Sequence, residues 1–120
     1  PKEITRGDGV FNLSRAALMA MSLSGGAYGN LRVAAQDRLH QPYRLDLIPG
    51  AKPVMDCALE FGAYCAYISG AGSTLMAIVG TENTGFTQRL RCWMDGQGYQ
   101  GWRLHLLEPD NTGARMTVEE

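Results

Sequence analysis

Two stretches hold the residue types that do chemistry. The first is "YISGAGSTLMAIV", Tyr67 to Val79, in which Ser69, Gly70, Ala71 and Gly72 sit between two apolar runs. Glycine reaches backbone conformations closed to other residues, so such a loop brings main-chain amides close to a neighbour or a ligand. It is either a tight turn or a wall against which a substrate or phosphate lies. It lacks the Gly-Lys-Ser/Thr ending of a P-loop. A single G-x-G, without a third glycine and a following helix, also falls short of a dinucleotide fingerprint. The second stretch is "RLHQPYRLDLIPG", Arg38 to Gly50, which carries His40 and Arg44 around Pro42. Arginine offers a planar fork that matches a carboxylate bidentately. The plainer role for Arg44 is a surface pair with Asp46. His40 has neither a nucleophile nor an orienting acid assignable to it, so packing or solvent contact is its simpler account.

The remaining candidates are weaker. Asn12 and Arg15, in "FNLSRAA", share a helix side at a spacing of three, which suits a solvated face or a contact with a neighbouring element. Arg89 and Arg91 flank Leu90 and read as solvated charges. His105 packs or faces water. Ser69 and Ser73 lie near glycines, but no G-x-S-x-G elbow is present, and no paired carboxylates have a set spacing. Cys57, Cys65 and Cys92 lack the close pairs of a zinc site. Free thiols, buried or partly buried, fit a reducing compartment.

The chain has 120 residues, 45% hydrophobic and 19% charged, which suits one packed domain. Its net charge is −1 and its arginines are scattered, which argues against a nucleic-acid-binding face. No apolar run approaches the length of about 20 residues that crosses a bilayer, and no signal peptide is visible. A cytoplasmic protein is expected. The first residue is Pro1, a hint of a longer parent.

Positioning falls to the elements. Asp8 is an N-cap candidate for a helix over "VFNLSRAALMAMSLSGG". There Val10, Leu13, Ala17 and Met21 recur at helical spacing until Gly25 and Gly26. "AYGNLRVAAQDRLHQ" reads as a second helix, with Leu31, Ala34, Ala35 and Leu39 on one side and Pro42 as its stop. "PYRLDLIPG" is an irregular link. "AKPVMDCALEFG" is a third helix with Pro53 in its first turn and Val54, Ala58 and Phe61 on one face. "AYCAYIS" and "TLMAIV" have strand length, and the five residues "GAGST" connect them as an antiparallel pair. "FTQRLRCWM" returns to helical period through Phe86, Leu90 and Trp93. "GWRLHLLE" and "GARMTVEE", residues 101–108 and 113–120, read as two further strands around a turn at Pro109-Asp110-Asn111. Three helices, two strands, a helix and two strands, with helices on one face of the sheet, make an α+β sandwich.

"FNLSRAAL", "DRLHQPYRLDLIPG" and "AYISGAGSTLMAIV", in this order and at these separations, resemble the C-terminal half of homoserine kinases, in the GHMP small-molecule kinase superfamily. The similarity runs from about Val10 to the closing "DNTGARM", and "HQPYR…LIPG" is its most specific block. The resemblance implies a ferredoxin-like sandwich with a mainly antiparallel sheet and helices on one face. It makes residues 1–120 a GHMP kinase C-terminal domain whose active site is a cleft against an N-terminal domain that this chain lacks. The implied reaction is ATP-dependent phosphorylation of L-homoserine to O-phospho-L-homoserine, on the route to threonine. Arg44 is expected to hold the homoserine carboxylate. Ser69, Gly70, Ala71 and Gly72 are expected to line the cleft. ATP and Mg2+ belong mainly to the missing domain, so this piece alone is expected to be inactive. No metal ligands and no catalytic base can be named in it, and a homodimer is left open. The family loop commonly reads Ser-Gly-Ser-Gly-Pro-Thr; here Ala71 stands for the second serine and Ser73 for the proline. The alternatives are another GHMP kinase with a mevalonate or sugar acceptor, and a non-catalytic ligand-binding module of the same fold.

Overall fold

Thr5 starts the first helix. In the computed structural model, which describes residues 2–118, α1 spans Arg6–Ser24. The Thr5 hydroxyl accepts the Asp8 N–H at 3.0 Å and donates to the Asp8 carboxylate at 2.7 Å. Thr5 is therefore the N-cap, and Asp8 is its acidic partner in the first turn. The apolar stripe of α1 does not face the core. Val10, Leu13 and Met21 are 59%, 73% and 70% exposed. The inward side is carried by buried Ser22 and half-buried Phe11, Asn12, Leu18 and Met19.

The expected second helix breaks. A 3-10 turn at Tyr28–Asn30 leads into a short α2, Leu31–Ala34, and the helix ends there. The chain turns and re-forms as α3, Gln41–Arg44, followed by a 3-10 turn at Leu45–Leu47. Asp37 causes the break. Its carboxylate accepts the backbone N–H groups of Leu39 at 2.7 Å, His40 at 3.1 Å and Gln41 at 2.6 Å. Short acidic side chains compete in this way with helix propagation and favour turns. Pro42, expected as a stop, sits in the first turn of α3, where its missing N–H is harmless.

Helix α4 spans Ala51–Glu60 with Pro53 in its first turn, as the sequence indicates. It buries Ala51, Val54, Cys57 and Ala58. Arg32 donates to the Leu59 carbonyl at 3.1 Å, and Asn83 and Arg89 donate to the Phe61 carbonyl at 2.9 and 3.2 Å. These side chains satisfy carbonyls that the helix end leaves open.

The strands β1, Cys65–Ile68, and β2, Leu75–Ile78, pair antiparallel with Cys65 opposite Ile78 and Ile68 opposite Leu75. Helix α5, Phe86–Gly96, buries Phe86, Leu90 and Met94. Ala66 and Ala77 share the core with these three and with Val54 and Ala58 of α4. Both helices thus cover one face of the hairpin, which confirms the α+β class.

The sheet has two strands, not four, among the described residues. Residues 101–108 and 113–118 form no strand, and Glu119 and Glu120 lie outside the described residues. Trp102 and Leu104 still pack against the core while Arg103 and His105 point out. Alternation survives as burial because it encodes a face; a strand also needs a partner edge, which this segment does not meet. Arg91 donates to the Trp102 carbonyl at 2.8 Å and to the Tyr99 carbonyl at 3.3 Å, so it pins this segment and is not simply solvated. From residue 105 to 118 the chain is exposed, with Leu107 at 75% and Met116 at 88%. Among the described residues no helix is long and apolar enough to cross a membrane.

Candidate functional site

The segment from Asp37 to Arg44 faces the glycine loop and holds it at consecutive points. Gln41 accepts the Ile68 N–H at 3.0 Å through Oε1 and donates to the Ala35 carbonyl at 3.1 Å through Nε2. One side chain therefore joins β1 to the α2 end. His40 Nε2 lies 2.9 Å from the Gly70 carbonyl. Arg44 donates to the Ala71 carbonyl through Nε at 3.1 Å and through Nη2. Residues 40, 41 and 44 lie around one short helical turn, so their side chains reach Gly70, Ile68 and Ala71.

The loop itself is a tight bend. Ser69 donates its N–H to the Thr74 carbonyl at 2.8 Å, and Gly72 donates back to the Ser69 carbonyl at 3.0 Å. Gly70 and Gly72 have φ of +56° and +82°. At Gly72 a Cβ would stand 2.7 Å from the Ile48 Cδ1 methyl, so both conformation and space ask for glycine there. The carbonyls of Gly70 and Ala71 turn toward the Asp37–Arg44 segment. The N–H groups of Gly70, Ala71 and Ser73 donate to no partner among the described residues, and all three residues are exposed. Exposed, unpaired amides beside a guanidinium offer donors to an anionic ligand.

Arg44 keeps its Nη1 group free of protein partners among the described residues. Its plainer sequence reading, a pair with Asp46, is not formed among the described residues. His40 was not separable from a packing residue in the sequence; the structure makes it a loop contact. Asn12 and Arg15 also find neighbours. Asn12 donates to Asp37 at 2.6 Å and accepts the Arg38 N–H at 2.9 Å. Arg15 lies over the Phe11 ring and reaches Gln36 at 3.4 Å. A shallow cleft of about 260 Å³ opens here, lined by Asn12, Arg15, Asp37, His40 and Tyr67.

Asp37 is the residue that sequence reasoning missed. Partial burial pushes its carboxyl up, but the hydrogen bonds from Asn12 and from the Gln41, Leu39 and His40 amides outweigh this and hold it below 3.8. The one signal for it is an aspartate shortly before a proline-containing turn, which is common in ordinary loops. The cysteines are free thiols, with Cys57 and Cys65 buried and Cys92 exposed. Burial, reinforced by Glu60, pushes the Cys57 thiol up; burial also raises Cys65. Both are poor nucleophiles. Among the described residues no three of His, Cys, Asp and Glu come together to hold a metal ion.

The family model for the C-terminal region of GHMP kinases matches residues 16–88. The chain is 45% identical over 116 residues to the homoserine kinase of Clostridium beijerinckii, covering 97% of this chain and 39% of that protein. It is 43% identical to the homoserine kinase of Caldicellulosiruptor saccharolyticus, covering 97% and 38%. The crystal structure of homoserine kinase from Cytophaga hutchinsonii superposes with a TM-score of 0.70 at 25% identity, over 81% of this chain and 31% of that one. The chain thus spans well under half the length of the relatives it matches.

Proposed function

The chain belongs to the GHMP kinase C-terminal family, and from that premise we propose that it is the C-terminal domain of a homoserine kinase, forming one wall of the acceptor site. The parent would transfer the γ-phosphoryl group of ATP to the side-chain hydroxyl of L-homoserine. The observation that carries this reading is the convergence of Arg44 on the glycine loop, with Nη1 open beside unpaired loop amides. A guanidinium so placed grips the carboxylate of an amino acid end-on and sets its hydroxyl in one direction. The exposed amides of Gly70, Ala71 and Ser73 line the same wall and donate to negative charge.

On this reading Mg2+ and ATP belong mainly to an N-terminal domain of the parent. When bound, they supply the phosphoryl group and neutralise the charge that develops on it. Three unpaired cysteines agree with a cytoplasmic setting. The exposed stripe of α1 gives that N-terminal domain, or a second copy of the chain, an apolar surface to cover.

The test is made in the kinase that contains this chain. Arg44→Ala raises the KM for homoserine by about tenfold or more and leaves the KM for ATP within about twofold. An unchanged homoserine KM removes Arg44 from the acceptor site. A screen of homoserine beside mevalonate and sugar alcohols separates this acceptor from those of other GHMP kinases.

A further inference from the structure

Asp37 touches neither the glycine loop nor Arg44, yet the side-chain hydrogen bonds from His40, Gln41 and Arg44 to the loop and β1 come from the turn it organises and the short helix that follows. Its Oδ1 accepts from Asn12 Nδ2 at 2.6 Å and from the Leu39 N–H at 2.7 Å. Its Oδ2 accepts from the N–H groups of His40 at 3.1 Å and Gln41 at 2.6 Å. Asn12 also accepts the Arg38 N–H, so both flanks of Asp37 are tied to α1. Arg38 adds a contact over the Phe11 ring at 3.9 Å and an ion pair with Asp8 at 3.5 Å. The turn is therefore fixed on α1 at one end and releases His40, Gln41 and Arg44 toward Gly70, Ile68 and Ala71 at the other.

From this arrangement we infer that the Asn12–Asp37 pair is a positioning device: it sets where the Arg44 guanidinium and the Ala71 carbonyl meet, and so sets affinity for the acceptor carboxylate. A carboxylate that accepts several amide hydrogen bonds orders a turn that otherwise has several conformations. Loss of the pair leaves the loop in place through β1 and β2 but lets Arg44 wander. The effect on the acceptor rests on the homoserine kinase reading above; the effect on Arg44 does not.

Two readouts separate these. On the 120-residue chain, the Arg44 Nε–H resonance and its exchange with water are followed by NMR. Asp37→Asn speeds that exchange about tenfold or more, as expected when a hydrogen bond opens locally. Asn12→Ala acts in the same direction from the α1 side and serves if Asp37→Asn does not fold. Leu13→Gln, on the exposed face of the same helix, leaves the Arg44 signal unchanged. An Arg44 signal unaffected by both Asp37→Asn and Asn12→Ala overturns the inference. In the parent kinase, Asp37→Asn raises the homoserine KM about tenfold with ATP KM and kcat within about twofold. In an Arg44→Ala background it adds less than about twofold, because the two act as a unit. Fully multiplicative effects also overturn the inference. If the Arg44 signal moves while the homoserine KM does not, positioning stands and the acceptor role of Arg44 falls.

Discussion

Arg44 spends two of its N–H groups on one backbone carbonyl, and that carbonyl belongs to the residue between two glycines of positive φ. The sequence made Arg44 and Gly70–Gly72 visible because their types are unusual for what they do: a fork and a bare backbone. It did not make Asp37 visible, because its role depends on Asn12, which lies 25 positions earlier. The glycines rank by surroundings. At Gly70 (φ +56°) a Cβ meets nothing within 4 Å, so Gly70→Ala costs about 1 kcal/mol for the backbone alone. At Gly72 and Gly50 the Cβ meets Ile48 and the Tyr99 ring at 2.7 Å, so those substitutions cost about 2–3 kcal/mol. Urea unfolding of the three variants checks the order. Asp37 makes its own prediction. Its folded value is below 3.8, so its stabilisation is complete above pH 3.8 and is lost as pH falls through the lower folded value. Asp37→Asn flattens that acid limb in denaturation measured between pH 5 and 2.

At the scale of elements, α4 and α5 were legible because each carries a period that its burial obeys, and the β1–β2 hairpin because two short apolar runs flank a five-residue connection. Val54 and Ala58, Phe86 and Leu90, and the paired Ala66 and Ala77 meet in one cluster. The period of α1 was equally clear and its stripe lies outside, since spacing records that a face is apolar and not what covers it. The 27–41 segment was misread as continuous because helical period extends across Asp37, where side-chain hydrogen bonds override it. These differences give opposite outcomes for two leucines on helices. Leu90→Ala, at 3% exposure, loses about 3 kcal/mol. Leu13→Gln, at 73% exposure, changes stability of this chain by less than about 0.5 kcal/mol. Thermal unfolding of both variants distinguishes a core stripe from an outward one; a large loss at Leu13 places α1 against the core after all.

For the whole molecule, the radius of gyration is 16.3 Å, against about 14 Å for a compact chain of this length. The excess comes from an outward α1 and from the unladdered segment after Leu104, whose strand character the sequence advertises and whose neighbour edge it does not supply. That segment has a consequence for digestion. A protease draws a stretch of chain out straight into its own cleft, and exposed segments without a ladder offer one first. Trypsin should therefore nick at the exposed Arg115 long before it reaches Lys52 or Arg89. Mass spectra of a time course would show a trimmed body surviving with its fold intact; early cleavage inside that body would mean the hairpin and its two covering helices open as readily as the trailing end.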